Sequence, residues 1–207
     1  MAASAHQLNN ISVEEYLAGE RISEIKHEYV DGQVFAMAGA SRRHNLIGAN
    51  ILALLWIQLQ GKPCYPISAD MLLKTGGTKY RYPDLQIICD DEPSDDEYVN
   101  ENPVLIVEVL SRSTRRLDKT EKRAEYLAIP SLQEYVLIEQ DVAEIEVQRR
   151  SNDWHSEYYY LGQDVHFESV DVTLSVEAVY QRVDNEDVTA FLLAQQKAAD
   201  GAENQSV

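Results

Sequence analysis

Two acidic side chains stand where an acid needs an explanation. Glu108 interrupts the otherwise apolar run VLIVEVL (Val104 to Leu110), the pattern of a strand buried on both faces. A carboxylate there loses its hydration, so Glu108 has to be paired, protonated or holding a cation. Asp84 follows Pro83 at the start of a second apolar run, Leu85 to Cys89. If the two runs lie side by side, the carboxylates form a cage for a hard cation that takes oxygen ligands, Mg²⁺ or Mn²⁺. Each also has a bland reading: Asp84 as a turn residue after proline, Glu108 as an acid buried against an arginine.

The elements needed to position them can be read along the chain. SVEE at Ser12 to Glu15 fits a capping box and starts a short helix that stops near Gly19. Asp31-Gly32 separates IKHEYV from QVFAMA, a hairpin signal because both turn residues must reach positive φ. Ser41 opens a long helix through Gln60, with Leu46, Ala49, Asn50, Ala53, Leu54 and Ile57 at spacings of three and four, and Gly61 and Pro63 end it. Residues 66–74 and 85–89 read as strands, followed after an acidic loop by 104–110. A helix over 115–128 and a buried strand over 134–138 come next. Strands at 144–149 and 155–161 form an edge meander, and 175–180 is a short helix. The order predicts an α/β fold, one domain over 1–183, and an acidic polar tail over 184–207 with a loosely attached helix at 188–198 before a disordered end.

Composition supports one core. The chain has 207 residues, 44% hydrophobic and 26% charged. Nothing approaches the run of about eighteen apolar residues that a membrane span needs, and no secretory pattern opens the chain, so the expectation is a soluble cytoplasmic protein. Cys64 and Cys89 lack metal-ligand or CxxC spacing and read as small core residues, with no disulfide indicated. The histidines are scattered, which gives no support to zinc or haem, and no Gly-rich phosphate loop is present.

The net charge of −17 excludes a chain that coats nucleic acid with its whole surface. Most of it sits in residues 90–101 and in the tail. Residues 112–123 (RSTRRLDKTEKR) form the one strongly basic stretch, which taken alone is a solvated helix face with an Asp118/Lys122 pair.

Tyr82-Pro83-Asp84, Val107-Glu108-Val109-Leu110-Ser111 with Ser113-Thr114, Asp118 to Tyr126 and Pro130 to Tyr135 together resemble the Uma-type family of restriction endonucleases, within the PD-(D/E)XK nuclease superfamily. Glu28-Tyr29-Val30-Asp31-Gly32 and Arg43-His44 also match, so the likeness covers roughly residues 10–182. The resemblance implies a restriction-endonuclease-like central mixed sheet flanked by helices, a divalent metal, Mg²⁺ or Mn²⁺, and hydrolysis of DNA phosphodiesters. It makes Asp84 and Glu108 metal ligands, with Glu28 a further one, direct or through water. The superfamily lysine is expected two residues after the glutamate, where this chain has Leu110; the Uma pattern draws it from the next helix, at Lys122. A helical wheel sets Lys122 nearly opposite Leu117, Thr120, Ala124 and Leu127, which leaves Lys119 as the alternate donor.

Arg43, His44, Arg112, Arg115 and Arg116 are the expected holders of the DNA backbone. Tyr158 to Tyr160 could stack on bases, although strand packing suits them better. These readings predict a homodimeric, Mg²⁺-dependent DNA endonuclease whose affinity for DNA is weak and salt-sensitive. The competing readings are a catalytically silent nuclease-fold module that binds nucleic acid or regulates, and a protein adaptor built on the acidic segments.

Overall fold

The computed structural model describes residues 10–90 and 96–203. In chain order the elements are α1 (Val13–Glu20), β1 (His27–Val30), β2 (Gln33–Ala36), α2 (Arg42–Gln58), β3 (Cys64–Ser68), β4 (Leu72–Gly76), β5 (Lys79–Arg81), β6 (Leu85–Cys89), β7 (Val99–Asn100) and β8 (Leu105–Leu110). Then follow α3 (Arg115–Leu117), a π-helical turn (Asp118–Lys122), α4 (Arg123–Leu127), β9 (Glu134–Glu139), β10 (Glu144–Arg149), β11 (Ser156–Tyr160), β12 (Asp164–Phe167), β13 (Val172–Ser175), α5 (Val176–Val179) and α6 (Glu186–Glu203).

The sequence signals act locally as physics requires. Ser12 and Glu15 close a reciprocal capping box on α1, satisfying two donors that a helix start leaves open. Asp31 and Gly32 take φ of 48° and 90° and join β1 to β2. Ser41 caps α2 by accepting from the His44 N–H, and this fixes where His44 leaves the helix.

A six-stranded mixed sheet in the order β11-β10-β9-β8-β6-β3 forms the centre, with β8 and β9 parallel and β6 antiparallel to β8. One face is apolar: Leu105, Val107, Val136, Ile138, Ile145 and Val147 meet Ile47, Ile51 and Leu55 of α2 together with Phe167, Leu174 and Val179. Against the other face lies the crossover from β8 to β9, whose Tyr126, Ile129 and Leu132 pack on Ile106, Leu110, Tyr135 and Leu137. A second sheet, β2-β1-β5-β4-β7, holds its own cluster of Tyr16, Tyr29, Tyr80 and Tyr82 and brings β1 and β5 to the site.

Several expectations need correction. Cys64 and Cys89 are joined by a disulfide, because β3 and β6 pair with these two residues directly opposite each other. Spacing along the chain carries no trace of such a cross-strand pairing. Residues 66–74 are two strands of different sheets, parted by a turn at 69–71. On α2 the buried stripe is Ile47, Ile51 and Leu55, while Ile57 is 67% exposed. An apolar helix offers several candidate faces, and packing selected the one at strict four-residue spacing.

The helix over 115–128 contains the π turn, and its buried side chains are Asp118, Lys122 and Tyr126, whereas Thr120 and Ala124 are exposed. The Tyr135 hydroxyl donates to the Asp118 carbonyl and Thr120 to that of Arg116, taking up carbonyl groups in the widened turn. Tyr158 and Tyr160 of the edge strand β11 are both 47% exposed, with only Tyr159 packed against the core. The acidic loop falls partly at 91–95, and the end of the tail at 204–207, both outside the described residues. The tail helix begins where Asn185 accepts from the Val188 N–H, and Val188 joins the core.

Candidate active site

β6 and β8 run antiparallel with Leu85 opposite Val107, so Asp84, one residue before Leu85, falls beside Glu108. The Val109 N–H donates to Asp84 Oδ2 at 2.7 Å, and His44 Nε2 stands 3.1 Å from Asp84 Oδ1. Glu108 is 3% exposed. Its Oε1 accepts from the Tyr126 hydroxyl at 2.7 Å and from Lys122 Nζ at 3.2 Å. Lys122 is also buried, and its ammonium lies 3.1 Å from Glu28 Oε1 and 3.4 Å from Asp118 Oδ1. Glu28 reaches it from β1, which the second sheet sets against this corner. The π turn is what brings Asp118 and Lys122 onto the carboxylates rather than out to solvent.

Burial pushes the Glu108 carboxyl well above the ordinary range; Lys122 opposes this, and the charges of Asp84 and Asp118 add to it. Asp118 is raised too, by burial first and by Asp84 among its neighbours. For Lys122 burial acts downward, but Glu108, Glu28 and Asp118 outweigh it and hold the ammonium protonated far above its usual range. His44 is raised despite its burial, because Asp84 stabilises the imidazolium. The site is therefore a crowd of carboxylates short of positive charge.

The nuclease resemblance implies a divalent cation. Among the described residues no group of three or more His, Cys, Asp or Glu side chains is gathered tightly enough to coordinate one as the side chains stand. The donor set nevertheless suits a hard cation. Asp84 and Glu108 present carboxylate oxygens from neighbouring strands, and buried Asp118 Oδ1 has no hydrogen-bond partner. Glu28 stands differently, since its oxygens are taken by Arg81 at 2.8 Å and Lys122 at 3.1 Å.

The expected backbone-holding residues lie along an open groove at the N-terminal end of α2, lined by Ser41, Arg42, Arg43, Arg112, Ser113, Gln140 and Asp141. Arg43 and Arg112 pair with Asp141, Arg115 pairs with Glu139, and Arg116 is exposed. Lys119 turns away from Glu108 to Glu139 and Glu146, at 3.6 and 3.2 Å. Sequence reasoning assigned no role to Asp118, Tyr126 or Arg81. The first two were detectable as a polar and aromatic series at spacings of four, Asp118, Lys122 and Tyr126, on a helix joining two buried strands. Arg81 carried no local signal.

A mixed sheet with an aspartate and a glutamate on adjacent strands, met by a lysine from the crossover helix, defines the restriction-endonuclease-like nuclease fold. Residues 13–183 match the family model described as "Uma2: Putative restriction endonuclease", and the chain belongs to that family. Two uncharacterized proteins of Synechocystis sp. are similar: slr1290, 32% identical over 83% of this chain and 92% of its own, and sll1609, 34% identical over 69% and 82%. A crystal structure described as a putative nuclease belonging to DUF820 from Anabaena variabilis shares the fold, with a TM-score of 0.69, 16% identity, and coverage of 82% of this chain and 97% of that one. Among the described residues no helix is long and apolar enough to cross a membrane.

Proposed function

We propose that this protein is a divalent-metal-dependent DNA endonuclease, cytoplasmic and homodimeric, with Asp84 and Glu108 holding Mg²⁺ or Mn²⁺. The observation that carries this reading is the buried Lys122 ammonium 3.2 Å from Glu108, itself beside Asp84 on the neighbouring strand. A cation held there supplies charge neutralisation on a phosphodiester and makes water more acidic.

The chain's own residues do the rest. His44 and the Val109 N–H orient Asp84, and Tyr126 orients Glu108. Lys122 is aimed at the place where negative charge develops on phosphorus-bound oxygens, or orients the attacking water. Glu28 and Asp118 fix that ammonium, which gives Glu28 an anchoring part in place of direct ligation. Arg43, Arg112, Arg115 and Arg116 hold the DNA backbone. All but Arg116 are already paired with acids, so DNA has to compete for them and binds weakly. A two-fold dimer supplies a second site for the opposite strand.

The test is conversion of supercoiled plasmid by purified protein in Mg²⁺ or Mn²⁺, at rising salt, with chelator and Asp84→Ala controls. Nicking or linearisation that is lost in both controls and falls steeply with salt is expected. Cleavage that survives Asp84→Ala would remove this assignment. Duplex binding with no cleavage at any metal concentration would favour the silent nuclease-fold module.

A further inference from the structure

Arg81 ends β5, three residues before Asp84, and is 3% exposed. Its guanidinium grips Glu125 of α4 through two bonds, Nε to Oε2 at 2.9 Å and Nη2 to Oε1 at 2.8 Å. The remaining nitrogen, Nη1, donates to Glu28 Oε2 at 2.8 Å. Glu125 is steadied further by Thr75 at 3.3 Å and Lys79 at 3.5 Å. The other oxygen of Glu28 takes Lys122 at 3.1 Å. An unbroken relay therefore runs Glu125, Arg81, Glu28, Lys122, Glu108, tying α4, β5, β1, the π turn and β8 together.

We infer that Arg81 is a positioning residue: by holding one oxygen of Glu28, it fixes the other against Lys122 and so keeps the ammonium at Glu108. The inference rests on the proposed nuclease reading of the site and names what aims its lysine. A lysine side chain is a point charge on a flexible stem, so its location is set by the surrounding carboxylates. Glu28, Glu108 and Asp118 all attract it. Glu28 can compete steadily only if its own carboxylate is clamped. A guanidinium does this because its planar fork serves two carboxylates in fixed directions at once, which a single ammonium cannot do. Arg81 has its ion pairs with Glu28 and Glu125 and none with Asp84 or Glu108, so it acts on the site through Glu28.

The experiment compares Arg81→Lys, Glu28→Gln and the double variant with the unaltered chain. Four quantities are read: melting temperature, Mg²⁺ affinity by calorimetry, kcat and KM for a duplex substrate, and acylation of Lys122 by an amine reagent, followed by mass spectrometry. Both single variants are expected to bind Mg²⁺ as the unaltered protein does, to keep KM, and to lose kcat by about 100-fold, the scale of a misplaced catalytic group. The double variant is expected to lose no more than either single one, because the two residues act in one relay. Acylation of Lys122 rises in each. Unchanged kcat in Arg81→Lys, losses that multiply in the double variant, or Lys122 equally protected throughout would overturn the inference. Should Arg81→Lys not fold, Glu28→Gln keeps the Arg81–Glu125 pair and decides by the same readouts. If the unaltered protein cleaves nothing, the nuclease reading fails, and the acylation of Lys122 alone decides whether Arg81 holds it.

Discussion

The two faces of the six-stranded sheet are made from the same strands yet solve opposite problems. On one, Leu105, Val107, Val136, Ile138, Ile145 and Val147 bury against α2 and the C-terminal hairpin with no charge among them. On the other, Glu108, Glu139 and Glu146 lie buried under the β8 to β9 crossover. Lys122 meets the first of these acids, Arg115 and Lys119 meet Glu139, and Lys119 meets Glu146. Strand alternation is what allows one ladder to serve both. The apolar face gives stability, whereas the charged face holds groups whose desolvation opposes folding and which a cation or substrate can use.

The division predicts that damage to the apolar face is the larger for stability and blind to metal. Ile138→Ala should cost about 3 kcal/mol in chemical denaturation while leaving Mg²⁺ affinity unaltered. A change in affinity comparable to that of Asp84→Ala would break the separation of the faces.

The charged face should show itself through pH. The Glu108 carboxyl is raised in the folded state, so the native protein holds a proton that the unfolded chain releases, and stability falls as pH climbs from the ordinary carboxylate range toward the raised value. Asp118 acts in the same direction. Lys122, raised above the lysine range, stays protonated in both states over that window and adds no slope. In chelator, Glu108→Gln should flatten the decline in melting temperature between about pH 5 and pH 8 and gain up to roughly 1 kcal/mol on the unaltered chain at the upper end. A steeper decline would mean that the carboxylate is stabilising as it stands.

The smallest effect belongs to Lys119, whose side chain is 35% exposed. Lys119→Met should cost under about 1 kcal/mol, because solvent already screens its pairs. It should leave plasmid cleavage intact; loss of cleavage there would move the lysine's role from Lys122 to Lys119 and redraw the boundary of the site.

How far the sequence foretold this depends on the range of the physics involved. The capping box, the Asp31-Gly32 turn and the Glu108 strand were legible because each is set by a few neighbouring residues, and Glu108 stood out as an acid in an apolar run. The adjacency of Asp84 and Glu108 followed from two strands joined by a loop. Lys122 was misjudged by the wheel, since a wheel assumes one uniform pitch and the π turn changes it between Asp118 and Lys122. Arg81, the Cys64–Cys89 bridge and the two-sheet split of residues 66–74 depend on which distant strands meet, and short spacings do not encode that.

The π turn gives the catalytic corner an unusual genetic vulnerability. Loss of a single codon between Asp118 and Lys122 would let the segment relax to a regular α-helix, turning everything beyond it by about 100°. Such a deletion changes the composition of the protein hardly at all and can leave the apolar half of the sheet folded, yet it swings Lys122 off Glu108. In this chain, activity is written in the count of residues across one turn as much as in their identity.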